Sequence, residues 1–141
     1  MADTGQAATI HFYKGEDGPT LLIEMYESQL ERLKAIFQRV SEGRPTRISL
    51  RKSGILSTMD SVDDLLFVLD PKDKDPSWMV RRVGEHSNQC VFQFQRHKEG
   101  WLECLELLDG LTPPGHQYLS RGSSDEALII VSYRENLARY R

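Results

Sequence analysis

Residues 127–133 read Ala-Leu-Ile-Ile-Val-Ser-Tyr, and the first five of them are apolar without a break. A strand with one face in water alternates apolar and polar side chains, whereas an uninterrupted apolar run places side chains in the interior on both faces. This segment therefore predicts a central strand of a sheet covered on both sides. A second such run, Leu-Leu-Phe-Val-Leu at 65–69, is bounded by Asp64 and Asp70 and suits a strand buried on both faces, with a short helix as the alternative.

Around these runs the chain alternates between the periods of strand and helix. Ile10 and Phe12 face away from His11 and Tyr13. The turn Gly15-Glu16-Asp17-Gly18-Pro19 follows, and Leu21, Ile23 and Met25 then share one side of the next segment. Two strands around a glycine-rich loop predict an N-terminal hairpin. Leu30, Leu33, Ile36, Phe37 and Val40 recur at helical spacing, with Glu31, Arg32, Lys34, Gln38 and Arg39 on the opposite side. Ser28 and Glu31 have capping-box spacing at the start of this helix, and Gly43 and Pro45 end it. Arg47–Arg51 and Trp78–Val83 predict short strands, and Gln89–Gln95 alternates around Cys90, Phe92 and Phe94. A second helix over about 98–108 buries Trp101, Cys104, Leu105 and Leu108, and Gly110 with Pro113-Pro114 closes it.

The order β-β-α-β-β-β-β-α-β predicts an α+β fold, a mostly antiparallel sheet with two amphipathic helices packed on it. A length of 141 residues suits one domain over 1–141, with 1–8 and 136–141 frayed. No stretch approaches the apolar length of a membrane span, and the first residues lack the pattern of a signal peptide, so a cytoplasmic protein is expected.

Composition narrows the function classes. With 21 acidic against 18 basic side chains the net charge is −3, so no general nucleic-acid binding is expected, although a local basic patch is compatible with this total. The two cysteines, Cys90 and Cys104, have no metal-site spacing and read as buried free thiols, with a disulfide between them as the alternative. Phosphate-binding glycine loops, zinc-protease, nucleophile-elbow and calcium-loop motifs are all missing, so neither a cofactor nor a metal is expected.

Two groups of residues stand out. Asp60, Asp63, Asp64, Asp70, Asp73 and Asp75 crowd into sixteen positions beside Trp78. Such a group is either a solvated loop face or a negative surface that steers a basic partner toward an aromatic anchor. The second group is His11, His116 and Tyr118. Paired imidazoles suit general acid and base roles, the pattern of a small hydrolase or nuclease. The competing reading of Gly115-His116-Gln117-Tyr118 is a rigid connector in which Tyr118 and Leu119 cover the core edge.

The later third of the chain resembles small α+β immunity proteins of bacterial polymorphic toxins. The resemblance lies in Trp101-Leu-Glu-Cys104-Leu-Glu-Leu-Leu108, Gly115-His116-Gln117-Tyr118-Leu119, Asp125 and Ile130-Val-Ser-Tyr133-Arg-Glu135. It implies a cytoplasmic antidote that binds one cognate toxin domain and blocks it. The sequence thus points to a non-enzymatic protein-binding domain. A small enzyme using His11 and His116, and an oligomeric adaptor pairing an exposed strand edge, are the alternatives.

Overall fold

The computed structural model describes residues 8–16, 18–70, 79–83, 90–120 and 126–134. They form two sheets and three helices, an α+β fold with the helices packed on sheet. The first sheet has the order β4-β1-β2-β9-β8, where β1 is Thr9–Gly15, β2 Gly18–Met25, β4 Thr58–Asp60, β8 Gly115–Tyr118 and β9 Leu128–Tyr133. The second has the order β3-β5-β7-β6, made of Arg47–Ser49, Asp64–Leu69, Val91–Arg96 and Met79–Val83 respectively.

Both continuous apolar runs take interior positions. β9 lies between β2 and β8, and Ile129, Ile130 and Val131 are all buried, so both of its faces are covered. β5 lies between β3 and β7 with Leu65, Leu66 and Phe67 buried in succession. The N-terminal hairpin forms as expected, its register closing at Gly15 opposite Gly18, where Gly18 takes a positive φ of 108°.

The division into two sheets is a finding that local pattern did not carry. Antiparallel ladders outnumber parallel ones by four to three among the described residues. The parallel pairs β2–β9 and β5–β7 join segments far apart in sequence, which no turn signal announces.

The first helix, α1, runs Glu27–Ser41 and buries the expected stripe of Leu30, Leu33, Ile36, Phe37 and Val40. Its start differs from the Ser28–Glu31 box. Tyr26 is extended at the N-cap, directly continuing β2, and the side chain of Gln29 accepts from the Tyr26 N–H at 3.2 Å. Arg47–Arg51 is likewise half strand. β3 stops at Ser49, whose hydroxyl accepts from the Lys52 N–H and starts a one-turn helix, α2 (Leu50–Ser53), closed by Gly54 at positive φ. The third helix, α3 (Lys98–Asp109), packs on α1 and on the second sheet.

Trp101 of α3 is the centre of the core. It lies 5.3 Å from Phe37, 5.4 Å from Phe67 and 5.1 Å from Phe94 between ring centroids, and its indole N–H donates to the Val68 carbonyl at 3.0 Å. Phe12 meets Phe92 at 5.0 Å and joins the two sheets. Arg96, only 1% exposed, extends beneath the first turn of α3. Its guanidinium donates to the Gly100 carbonyl at 2.9 Å and to Glu103 at 3.0 Å. Gly100 is required there, because a Cβ would stand 2.5 Å from Arg96 Nε.

Candidate functional site

Strand alternation in the first sheet sends Ile10, Leu21, Ile23, Ile129 and Val131 into the core and turns the intervening residues to the other side. That outer face gathers His11 and Tyr13 from β1, Glu24 from β2, Asp60 from β4, and His116 and Tyr118 from β8. Leu22 and Ile130 lie between them. Both are buried although they are outside the main core cluster, and the buried hydroxyls of Thr20 and Ser132 accompany them.

His11 is held from two sides. Its Nε2 is 2.7 Å from Glu24 and its Nδ1 is 3.2 Å from Asp60, the residue directly opposite in the β1–β4 register. Thr9 Oγ1 lies 3.2 Å from the same Nε2. Among the described residues no group of histidine, cysteine and carboxylate side chains is placed to hold a metal ion.

The second histidine is on the same face but apart from the first. Between β1 and β8 stand β2 and β9, so the two backbones are separated by three strand spacings, about 14 Å. His116 instead meets Tyr118 edge-on, with ring centroids 5.9 Å apart. Tyr118 does not cover the core edge. Leu119 is the buried residue of that pair, whereas Tyr118 is 37% exposed, the one exposed large hydrophobic among the described residues. The reason is that Gly115–Tyr118 is a strand and not a loop, so neighbouring side chains take opposite faces. Gly115 begins it where a Cβ would stand 2.5 Å from the Thr112 carbonyl. Burial, and secondarily the nearby Tyr118 phenol, pushes the Tyr13 phenol above its usual pKa.

The acidic segment is divided in its roles. Asp60 is exposed at the rim of this face, with 63% of its side chain in solvent. Asp63 accepts from the Cys90 N–H at 2.6 Å and fixes the start of β7. Asp64 accepts from the Ser49 hydroxyl, from the Arg51 N–H at 3.0 Å and from its neighbour Leu65 at 2.8 Å, so it ties α2 to β5. Asp70 accepts from the Gln95 amide at 3.0 Å. Asp73, Asp75 and Trp78 lie outside the described residues.

A groove elsewhere on the molecule was missed by motif reading. Between α1 and the β3–α2 segment lies a groove of about 400 Å³ bordered by Arg32, Arg39, Arg47 and Lys52, with no acidic side chain in its lining. Arg39, Arg47 and Lys52 form no ion pair with any described carboxylate. The signal was present in local charge: residues 32–52 hold seven basic side chains and one acidic, against a chain total of 18 and 21.

Compared with known protein families, curated proteins and solved structures, the chain matches none. Among the described residues no helix is long and apolar enough to cross a membrane.

Proposed function

We propose that the chain is a non-enzymatic protein-binding domain that meets its partner through strand β8, at the Tyr118 side chain. The observation that supports this reading most is Tyr118, a solvent-facing aromatic on β8 beside His116. Exposed tyrosines on rigid backbone are typical interface anchors, because they bring a large contact area with little side-chain entropy to lose. Asp60, exposed toward the opposite edge of the sheet, adds negative charge that suits a partner with a basic surface.

The narrower form of this reading is an antidote, bound in the cytoplasm to a bacterial toxin domain. What supports it is the resemblance over the later third of the chain, in which Gly115-His116-Gln117-Tyr118 is β8 itself. The separation of His11 from His116 speaks against a shared acid–base pair. His11 lies between Glu24 and Asp60, at 2.7 Å and 3.2 Å, which supports a role in joining β1 to β2 and β4.

The test is recovery of the tagged full chain from its own cells in moderate salt, wild type beside Tyr118→Ala. A stoichiometric protein partner, retained by the wild type and weakened at least tenfold by Tyr118→Ala, is expected. A partner held equally by both contradicts the interface, and stable isolation of the wild-type chain alone counts against the binding role.

A further inference from the structure

The groove between α1 and the β3–α2 segment is independent of the sheet face and has its own chemistry. Four cationic side chains, Arg32, Arg39, Arg47 and Lys52, border one concavity without a lining carboxylate to offset them. A cleft lined by one sign of charge concentrates counter-ions and is relieved of its internal repulsion when an anion enters. We infer that this groove binds a small organic diphosphate.

The charge and geometry favour that class over others. A single carboxylate would neutralise one of four positive charges, whereas a diphosphate brings several negative charges on a compact group. Guanidinium forks match phosphate oxygens in pairs, and three of the four cations are arginines. Part of the site is already ordered. The Arg32 guanidinium donates to the Ser53 carbonyl at 3.1 Å, and the Ser49 hydroxyl accepts from the Lys52 N–H at 3.1 Å, which fixes the turn that carries Lys52.

An apolar body has a place as well. Ala35 and Pro45 are exposed on the groove wall, above the buried side chains of Ile36, Ile48 and Ile55. A volume of about 400 Å³ is in the range of small-molecule sites. A long polynucleotide fits less well. Of 18 basic and 21 acidic side chains, residues outside 32–52 hold eleven and twenty, so the overall composition supplies no basic surplus beyond the groove.

The experiment is a backbone-amide NMR titration of the full chain with ADP, inorganic pyrophosphate, adenosine and a ten-nucleotide single-stranded RNA. ADP is expected to saturate one site, shifting amides within 32–39 and 45–53. Pyrophosphate should bind the same place more weakly, and adenosine should shift nothing. Arg39→Glu and Arg47→Glu, both at exposed positions, should each weaken ADP at least tenfold. Arg81→Glu, exposed on β6 outside the groove, should leave the affinity unchanged. Circular dichroism of each variant confirms that it is folded. Non-saturating shifts, shifts scattered over basic residues elsewhere, or equal weakening by Arg81→Glu would overturn the inference. Pyrophosphate binding as tightly as ADP would remove the organic body from it, and RNA binding without ADP saturation would replace the small ligand with a nucleic acid. A negative result leaves the proposed interface at Tyr118 untouched, because no residue of β8 lines the groove.

Discussion

Arg96 and Asp64 on one hand, and Arg39, Arg47 and Lys52 on the other, show two ways in which this molecule uses charge. Arg96 is buried beneath α3 and donates to Gly100 and Glu103, while Asp64 gathers Ser49, Arg51 and Leu65 into one junction. The three groove cations stand at the surface and make no ion pair with a described carboxylate. A charged group taken from water needs such partners, since its desolvation is otherwise unrecovered. A charge kept at the surface of a concavity is free to recruit a ligand. The position of a charge, more than its density in the sequence, therefore separates structural residues from candidate binding residues.

The sharpest way to break this contrast is to truncate its buried member. Arg96→Ala removes a side chain in close packing as well as its hydrogen bonds, and is expected to destabilise the fold by about 2–5 kcal/mol in urea unfolding. Gly100→Ala forces a Cβ against the same guanidinium and should lower stability by about 1–3 kcal/mol. Asp64→Ala leaves the Arg51 N–H and the Ser49 hydroxyl without their acceptor, for a loss of about 1–3 kcal/mol. Arg39→Ala and Arg47→Ala should fall within about 0.5 kcal/mol of wild type. If the groove variants unfolded as readily as Asp64→Ala, the distinction would collapse.

The two thiols offer a parallel contrast. Burial pushes the Cys104 thiol up to about 11, against which the Arg96 guanidinium pulls downward, while Cys90 is half-buried and also raised by burial. A thiol reagent at pH 8 should modify Cys90 well before Cys104 in the folded protein. Because the folded state holds the Cys104 proton more tightly than the unfolded chain, that contribution to stability is complete below about pH 9. It is lost as pH rises toward about 11. The advantage of wild type over Cys104→Ala in urea unfolding should narrow across that window, and a constant difference would contradict the assignment.

Much of the fold was legible because its signals are local. The stripe from Leu30 to Val40 declares an amphipathic helix at 3.6-residue spacing, and Ala127–Val131 declares a strand covered on both faces. What escaped was non-local or very short. Pairing of Leu21 with Ile129 and of Phe67 with Phe94 depends on segments distant in the chain, and it produces two sheets where one was expected. The helix at Leu50–Ser53 is a single turn, too brief for periodicity, although Ser49 and Gly54 mark its ends. His116 and Tyr118 were legible as residues with chemistry. Their common strand was hidden by the preceding Pro113-Pro114, which reads as loop. The groove was hidden for a different reason: a chain total of −3 masks a segment with seven basic side chains and one acidic.

The central claim is that Tyr118 lies in a protein interface, and site-specific photocrosslinking tests it most directly. A photoreactive residue replaces Tyr118 in one variant and Arg81, exposed on the other sheet, in a second, with both full-length chains expressed in their own cells. A single discrete protein adduct from position 118, absent from position 81, is the predicted result. Adducts from position 81 alone, or none from position 118 while the tagged chain still co-purifies with its partner, would contradict the account.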